Sequence, residues 1–213
     1  PRCPHAEAGY YERIRDAAPT SLEDQTEQGE ALDGHGRWAM FRMRTREDML
    51  TAKDQSAGFI DEEADHLYIR PQHLLCILCT MEAQDPLIQD NLVELRKRME
   101  EDPDIPVTVV EGCCMVCDPC NVYHPGEHVC YTTHIKNQLR DLNILQKLDL
   151  EPGATLPAGE LYARIYERIG TLMEVCGWGD GLKTVHFWAP CGGAKSDALE
   201  RARDRGLISD GAE

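Results

Sequence analysis

The period of apolar and polar positions changes several times along the chain, and it predicts strands that alternate with helices. HLYIR predicts a short strand that ends before Pro71, because the residue before a proline is restricted to an extended conformation. QHLLCILCTMEA, which begins at Gln72, predicts a buried helix on which Cys76 and Cys79 share one face. The later stretch IPVTVV is rich in β-branched residues and predicts a second strand.

Three longer stripes of apolar residues, spaced three or four positions apart, predict amphipathic helices. The first begins at the Asp85–Pro86 signal and runs to about Glu101. The third begins at Pro157 and ends at Gly177. The residues predicted to face inward are, for the three stripes in turn, Ile88, Leu92, Leu95 and Met99; Ile135, Leu139, Leu142 and Leu145; and Leu161, Ile165, Ile169 and Leu172.

This alternation predicts an α/β or α+β fold with a small mixed sheet, packed helices and a cysteine-rich loop. We divide the chain into an N-terminal extension over residues 1–65, a cysteine-rich domain over residues 66–150, and a C-terminal helix–strand–helix segment over residues 151–213 that completes the same globule. In the extension, RWAMFRMRT predicts a strand and residues 46–54 a short helix. In the C-terminal segment, KTVHFW predicts a strand, and a helix follows from about Ala194 to Arg205, closed by Gly206.

The acidic composition bears on the possible partners. The chain has 213 residues and a formal net charge of −16 at pH 7, so its surface repels phosphate backbones and we expect no nucleic-acid partner. No apolar run approaches the roughly 20 residues of a membrane-spanning helix, and we expect no membrane partner. The first residues carry no apolar signal-peptide core, which favours a cytoplasmic protein with reduced thiols.

Five of the ten cysteines fall within residues 111–130, and this crowding predicts a metal-binding loop. Cys117 and Cys120 form a C-x₂-C hook, whose tight turn directs both sulfurs to one metal centre. Cys130 can supply a third thiolate, and Cys76 is the best remote candidate for a fourth. The reserves are Cys79, Cys113 and Cys114.

Two kinds of metal centre fit these residues, since four thiolates suit either tetrahedral zinc or an iron–sulfur cluster. Cys114, Cys117 and Cys120 match the C-x₂-C-x₂-C spacing of bacterial ferredoxins, although His124 stands where a fourth cysteine would follow. A mixed zinc site stays open because three histidines lie near the hook, namely His124, His128 and His134.

The cysteine pattern resembles a known family. The segments LYIRPQHLLCIL, VTVVEG, VCDPC and HVC, in this order, are similar to the domain of unknown function 1284 family over about residues 67–148. Gln72 stands where that family usually has a histidine. The resemblance implies an iron–sulfur-binding protein with no defined reaction, whose ligands would be Cys76, Cys117, Cys120 and Cys130.

The sequence therefore favours a [4Fe–4S] protein that transfers electrons with a redox partner protein or senses redox state. One alternative is an enzyme in which an open iron binds a small-molecule substrate, and another is a structural zinc module. For an enzyme, the candidate catalytic residues are Cys191, which precedes two glycines, and His73, three positions before Cys76. Cys191 would then lie near His186 or Lys195.

Overall fold

The part of the chain that the structure describes combines seven α-helices with two small sheets, which is an α+β fold. The computed structural model describes residues 44–124, 128–130, 134–177 and 193–208. These residues all lie within the compact unit Arg44–Glu213. The predicted strand KTVHFW lies outside the described residues, as do His186, Cys191 and all but the last two residues of RWAMFRMRT.

Five short strands form the sheets. The main sheet has three strands in which the second is central, parallel to the first and antiparallel to the fifth, so it is mixed as predicted. The third and fourth strands form a separate antiparallel pair. The strands are β1 (Leu67–Ile69), β2 (Pro106–Val109), β3 (Tyr123–His124), β4 (Val129–Cys130) and β5 (Thr155–Pro157).

One face of the main sheet is apolar and buried, whereas the other is polar. Tyr68 of β1 lies opposite Thr108 of β2, and Thr108 lies opposite Thr155 of β5. The hydroxyl oxygens of Thr108 and Thr155 are 2.6 Å apart and share a hydrogen bond on the polar face. The alternating side chains that enter the core are Leu67, Ile69, Val107, Val109 and Leu156.

Helices cover the buried face of this sheet, and four of the described helices contribute residues to the candidate site. Short 3₁₀ turns occur at Met115–Cys117 and Gly193–Lys195, and a single π-helical turn occurs at Phe59–Glu63. The α-helices are α1 (Arg46–Gly58), α2 (Pro71–Leu78), α3 (Leu92–Glu101), α4 (His134–Leu148), α5 (Ala158–Arg168), α6 (Met173–Cys176) and α7 (Ala198–Arg205).

Local sequence signals explain several boundaries. Arg70 is extended, with φ −73° and ψ 149°, and Pro71 then begins α2 as its first residue, which confirms the predicted strand–helix junction. Thr45 caps α1 through a reciprocal pair of hydrogen bonds with Asp48. Gly206 ends α7 in the left-handed conformation, with φ 62°, as predicted.

Two of the three apolar stripes form helices with limits that differ from the predicted ones. Asp85–Pro86 does not begin a helix, and α3 begins only at Leu92, whose N–H donates to the Asp90 carboxylate at 3.1 Å. The helix predicted from Pro157 to Gly177 is divided, because α5 ends before Ile169, which is extended. The four residues predicted to face inward here are nevertheless fully buried, namely Leu161, Ile165, Ile169 and Leu172.

The buried face of α4 differs from the prediction. Leu139 and Leu142 are 46 % and 48 % exposed, whereas Asn137, Arg140 and Asp141 are buried. Arg140 donates from Nη2 to the carbonyl of Cys176 at 3.0 Å. The apolar stripe was misleading because polar groups of α4 have buried partners elsewhere in the chain, which offset the cost of their burial.

The core of the described unit is continuous from the main sheet to α2, α5 and the cysteine loop, and it includes three of the loop's cysteines. Among the described helices, none combines the length and apolar character needed to span a membrane. The fold therefore places a cysteine-rich loop directly beside buried helices rather than on an outlying arm.

Candidate metal centre

The cysteine loop follows β2 and turns tightly at the hook. The N–H of Cys117 donates to the carbonyl of Cys114 at 2.7 Å, and the N–H of Cys120 donates to the carbonyl of Cys117 at 2.9 Å. Cys113, Cys114 and Cys117 are buried, while Cys120 is partly exposed. Two consecutive turns therefore fold four thiols into one short segment of backbone.

Helix α2 supplies a histidine to this loop. His73 lies in its first turn, and its Nδ1 is 3.1 Å from Sγ of Cys114. One ligand atom each from His73, Cys114 and Cys117 lie within 4.8 Å of one another. Among the described histidines, cysteines and acidic residues, this His/Cys trio is the group of three that is close enough to hold a single metal ion. The arrangement can therefore bind metal.

The surroundings of the trio favour the thiolate form of Cys117. Hydrogen bonds from the thiols of Cys113 and Cys114 hold the pKa of Cys117 well below its usual range, against the opposing effect of burial, and nearby His73 lowers it further. The hydrogen bond to Cys117, together with burial, raises the pKa of Cys113, and burial raises the pKa of Cys114. Among Cys113, Cys114, Cys117 and Cys120, Cys117 is thus the thiol that ionises first, and a thiolate is the form that binds metal.

A cavity of about 430 Å³ opens beside the loop and gathers cysteines from several elements. Its wall includes α2, the hook, β4 and α6, so residues far apart in sequence face the same space. The cysteines that line it are Cys76, Cys79, Cys117, Cys120, Cys130 and Cys176. The cavity wall therefore contains all four ligands that the family resemblance implies. We call these residues the cysteine quartet: Cys76, Cys117, Cys120 and Cys130.

The His/Cys trio and the cysteine quartet differ in spacing. Zinc–sulfur bonds of about 2.3 Å in a tetrahedron place the ligand atoms about 3.8 Å apart, which is the scale of the trio. The described sulfurs of the quartet do not include three within 4.8 Å of one another. A cluster binds each thiolate through a different iron and needs ligands that are farther apart. The trio thus has the dimensions of a mononuclear site, whereas the described sulfurs of the quartet are not close enough together to share one ion.

A buried ion pair lies against the cavity. Arg70, fully buried, donates from Nε to Oδ2 of Asp141 at 2.9 Å, and its Nη2 bonds the same oxygen. Asp141 also accepts the N–H of Gln72 at 2.8 Å. Burial lowers the pKa of Arg70, but the charge of Asp141 and, more weakly, Cys114 and Cys117 raise it by more, so the guanidinium remains charged.

Side chains other than the thiols also bind the hook and its neighbouring residues. The guanidinium of Arg44 donates to the carbonyl of Asp118 and lies 5.4 Å from the ring centroid of Tyr123. The hydroxyl of Tyr123 is 2.9 Å from Nδ1 of His128. Burial, together with the charge of Cys117, raises the pKa of Asp118 to about 6. Residues outside the thiol set therefore fix the loop's shape.

Of the remaining candidate residues, some contact the thiols and others do not. His128 bonds Tyr123, and the structure describes the backbone but not the side chains of His124 and His134. Lys195 is exposed, while its expected neighbour Cys191 lies outside the described residues. His73 does reach the thiols. Sequence reasoning gave Cys114 only a reserve role and missed Cys176, which precedes a helix-ending glycine but belongs to no recognisable spacing.

Comparison with known proteins gives one result. No curated protein and no solved structure matches the chain. The matching family model is described as "Protein of unknown function (DUF1284)" and covers residues 87–180, somewhat later in the chain than the predicted limits of 67–148. The matched segment contains the hook, Cys130 and Cys176, but it begins after His73 and Cys76. The resemblance predicted from the cysteine pattern is confirmed: residues 87–180 match the DUF1284 family.

Proposed function

We propose that the protein binds an iron–sulfur cluster, [4Fe–4S], through the cysteine quartet, and that it transfers electrons or senses redox state. The observation that carries the proposal is that all four cysteines line one cavity, although they come from α2, the hook and β4. Thiolates are the usual ligands of such clusters. A cluster bound here would exchange single electrons with a redox partner protein.

The surroundings of the cavity fit such a group. The four thiols of the quartet match the number of irons, and no three of their described sulfurs lie within 4.8 Å of one another, as the ligands of a single ion would. The wall of the cavity is partly apolar and includes Leu75, Leu92 and Val116. Access of solvent is one of the factors that set the potential of a cluster.

The test is metal analysis of the chain purified without oxygen. We expect brown protein with broad absorption near ~400 nm, together with iron and acid-labile sulfide in equal amounts. Colourless protein with stoichiometric zinc would contradict the cluster, since zinc is d¹⁰ and has no such absorption.

A zinc site is the second candidate, and the His/Cys trio is the observation that favours it. His73, Cys114 and Cys117 have the spacing of a mononuclear site and offer an imidazole with two sulfurs. A fourth position would remain for another thiol or for water. In this case the ion would hold the loop against α2 and stabilise the fold.

Paired cysteine variants separate the two candidates. Cys120→Ser and Cys130→Ser should abolish binding of a cluster, whereas Cys114→Ser should abolish binding at the trio. Cys113→Ser is the matched control, because Cys113 belongs to neither set although it is more deeply buried than Cys114 or Cys120. Full metal content in Cys120→Ser would refute the quartet, and full content in Cys114→Ser would refute the trio.

A further inference from the structure

One residue of the cavity wall carries a permanent positive charge. Among the described residues that line the cavity, Arg70 alone has a guanidinium or ammonium group. Its partner Asp141 does not line the cavity, so the positive end of the ion pair is the end nearer the thiols. Asp90 is the carboxylate in the wall, and burial raises its pKa, which disfavours its charged form.

The guanidinium of Arg70 also has unused hydrogen-bonding capacity. Nε and Nη2 are bound to Asp141, whereas Nη1 is buried without a hydrogen-bond partner among the described residues. A buried donor without a partner is costly, and such groups recur at functional sites. Arg70 lines the same cavity as Cys117, and a thiolate at Cys117 or Cys114 favours the charged form of its guanidinium.

We propose that Arg70 is a positioning residue for the metal centre, and that its charge stabilises the negative charge of metal-bound thiolates and of the reduced cluster. This inference rests on the proposed function only in requiring a thiolate metal centre. A thiolate-bound cluster becomes more negative by one charge when it takes up an electron. A nearby fixed cation therefore favours the reduced form, and a nearby anion disfavours it.

The two members of the ion pair consequently have opposite expected effects. Arg70→Gln removes the positive charge and should shift the midpoint reduction potential downward. Asp141→Asn removes the negative charge while it keeps an acceptor for Arg70, and it should shift the potential upward. Arg70→Lys keeps the charge but loses the forked geometry, so it should restore most of the wild-type potential.

The experiment is a redox titration of the holoprotein, followed by its visible absorption, with iron content measured for each variant. Arg96→Gln is the control, because Arg96 is also a buried arginine with a carboxylate partner, Glu100, but does not line the cavity. We expect no shift for it. A purely structural ion pair would give shifts of the same sign for Arg70→Gln and Asp141→Asn, and Arg70→Lys would not rescue; either result overturns the inference.

If the wild-type centre holds zinc, the effect of the two charges is tested by the zinc affinity, measured by competition with a chelator. Arg70→Gln should then weaken zinc binding and Asp141→Asn should not, whereas weakening by both overturns the inference. If Arg70→Gln does not fold, Asp141→Asn decides alone: an upward potential, or zinc binding at least as tight as that of the wild type, supports the role, and any other result overturns it. A wild-type protein with neither metal would overturn the proposed function itself, so the two failures are distinguishable.

Discussion

Asn91 links the start of the cysteine loop to α1, and its loss should destabilise both. The side chain is fully buried. Its Nδ2 donates to the carbonyl of Met115 at 2.8 Å and is 2.9 Å from the hydroxyl of Ser56. Its Oδ1 accepts from the ammonium of Lys53 at 3.1 Å. Asn91→Ala removes the hydrogen bonds to Met115, Ser56 and Lys53 without changing the thiols.

The magnitude follows from these contacts. Each of the two neutral hydrogen bonds contributes about 1 kcal/mol net, and the one from the ammonium of Lys53 contributes about 1.5–3 kcal/mol. Water that enters the vacated space offsets part of the loss. We therefore expect Asn91→Ala to lower the free energy of unfolding by about 2–4 kcal/mol. Because Met115 begins the 3₁₀ turn that contains Cys117, metal affinity should fall as well.

The assay is urea unfolding followed by circular dichroism, with the metal present and after its removal. Asn143→Ala is a matched control, because Oδ1 of Asn143 is buried without a partner among the described residues, and its loss should be almost neutral. A change below about 0.5 kcal/mol for Asn91→Ala would refute the linkage. A loss of stability with unchanged metal affinity would show that Asn91 supports α1 but not the loop.

Three further predictions concern other contacts. Tyr162→Phe removes the hydroxyl that donates to the carbonyl of Leu74 at 3.0 Å, and it should lower the free energy of unfolding by about 1 kcal/mol in urea; an unchanged midpoint would contradict this. Gly206→Ala should cost about 1 kcal/mol in the same assay, because φ is 62°, and equal or greater stability would be inconsistent with the left-handed cap. In metal-free protein, Cys117 should react with iodoacetamide faster than Cys120 at pH 7, and its advantage should grow as the pH falls. Burial raises the pKa of Cys120 to about 11, whereas that of Cys117 is lowered, so mass spectrometry that finds Cys120 modified first would refute the assignment.

The elements that the sequence predicted well depend on local signals. Pro71 determines both the end of β1 and the start of α2, and Gly206 determines the end of α7. The C-x₂-C spacing likewise identified a hook whose two turns are local in sequence. Each of these features requires only a few neighbouring residues, and one sequence is enough to recognise it.

The features that the sequence did not predict depend on distant partners. Arg140 and Asp141 are buried in α4 because the carbonyl of Cys176 and the guanidinium of Arg70 meet them there. No periodicity within α4 records those partners, so the stripe through Leu142 suggested the wrong face. Cys176 likewise reaches the cavity only because α6 packs near α4, and its position relative to the hook follows from tertiary structure alone.

Cys117 belongs to both the His/Cys trio and the cysteine quartet, and this shared ligand links the two candidate centres. A mononuclear ion at the trio would occupy the thiolate that a cluster also needs, so the two centres should compete for the same loop rather than coexist. Cys117→Ser cannot separate them, because it removes a ligand from each. The pair Cys114 and Cys120 can, since each belongs to one set only. We expect Cys114→Ser to bind more iron and Cys120→Ser to retain zinc. In that case the kind of metal bound depends on whether Cys114 or Cys120 is the second ligand beside Cys117.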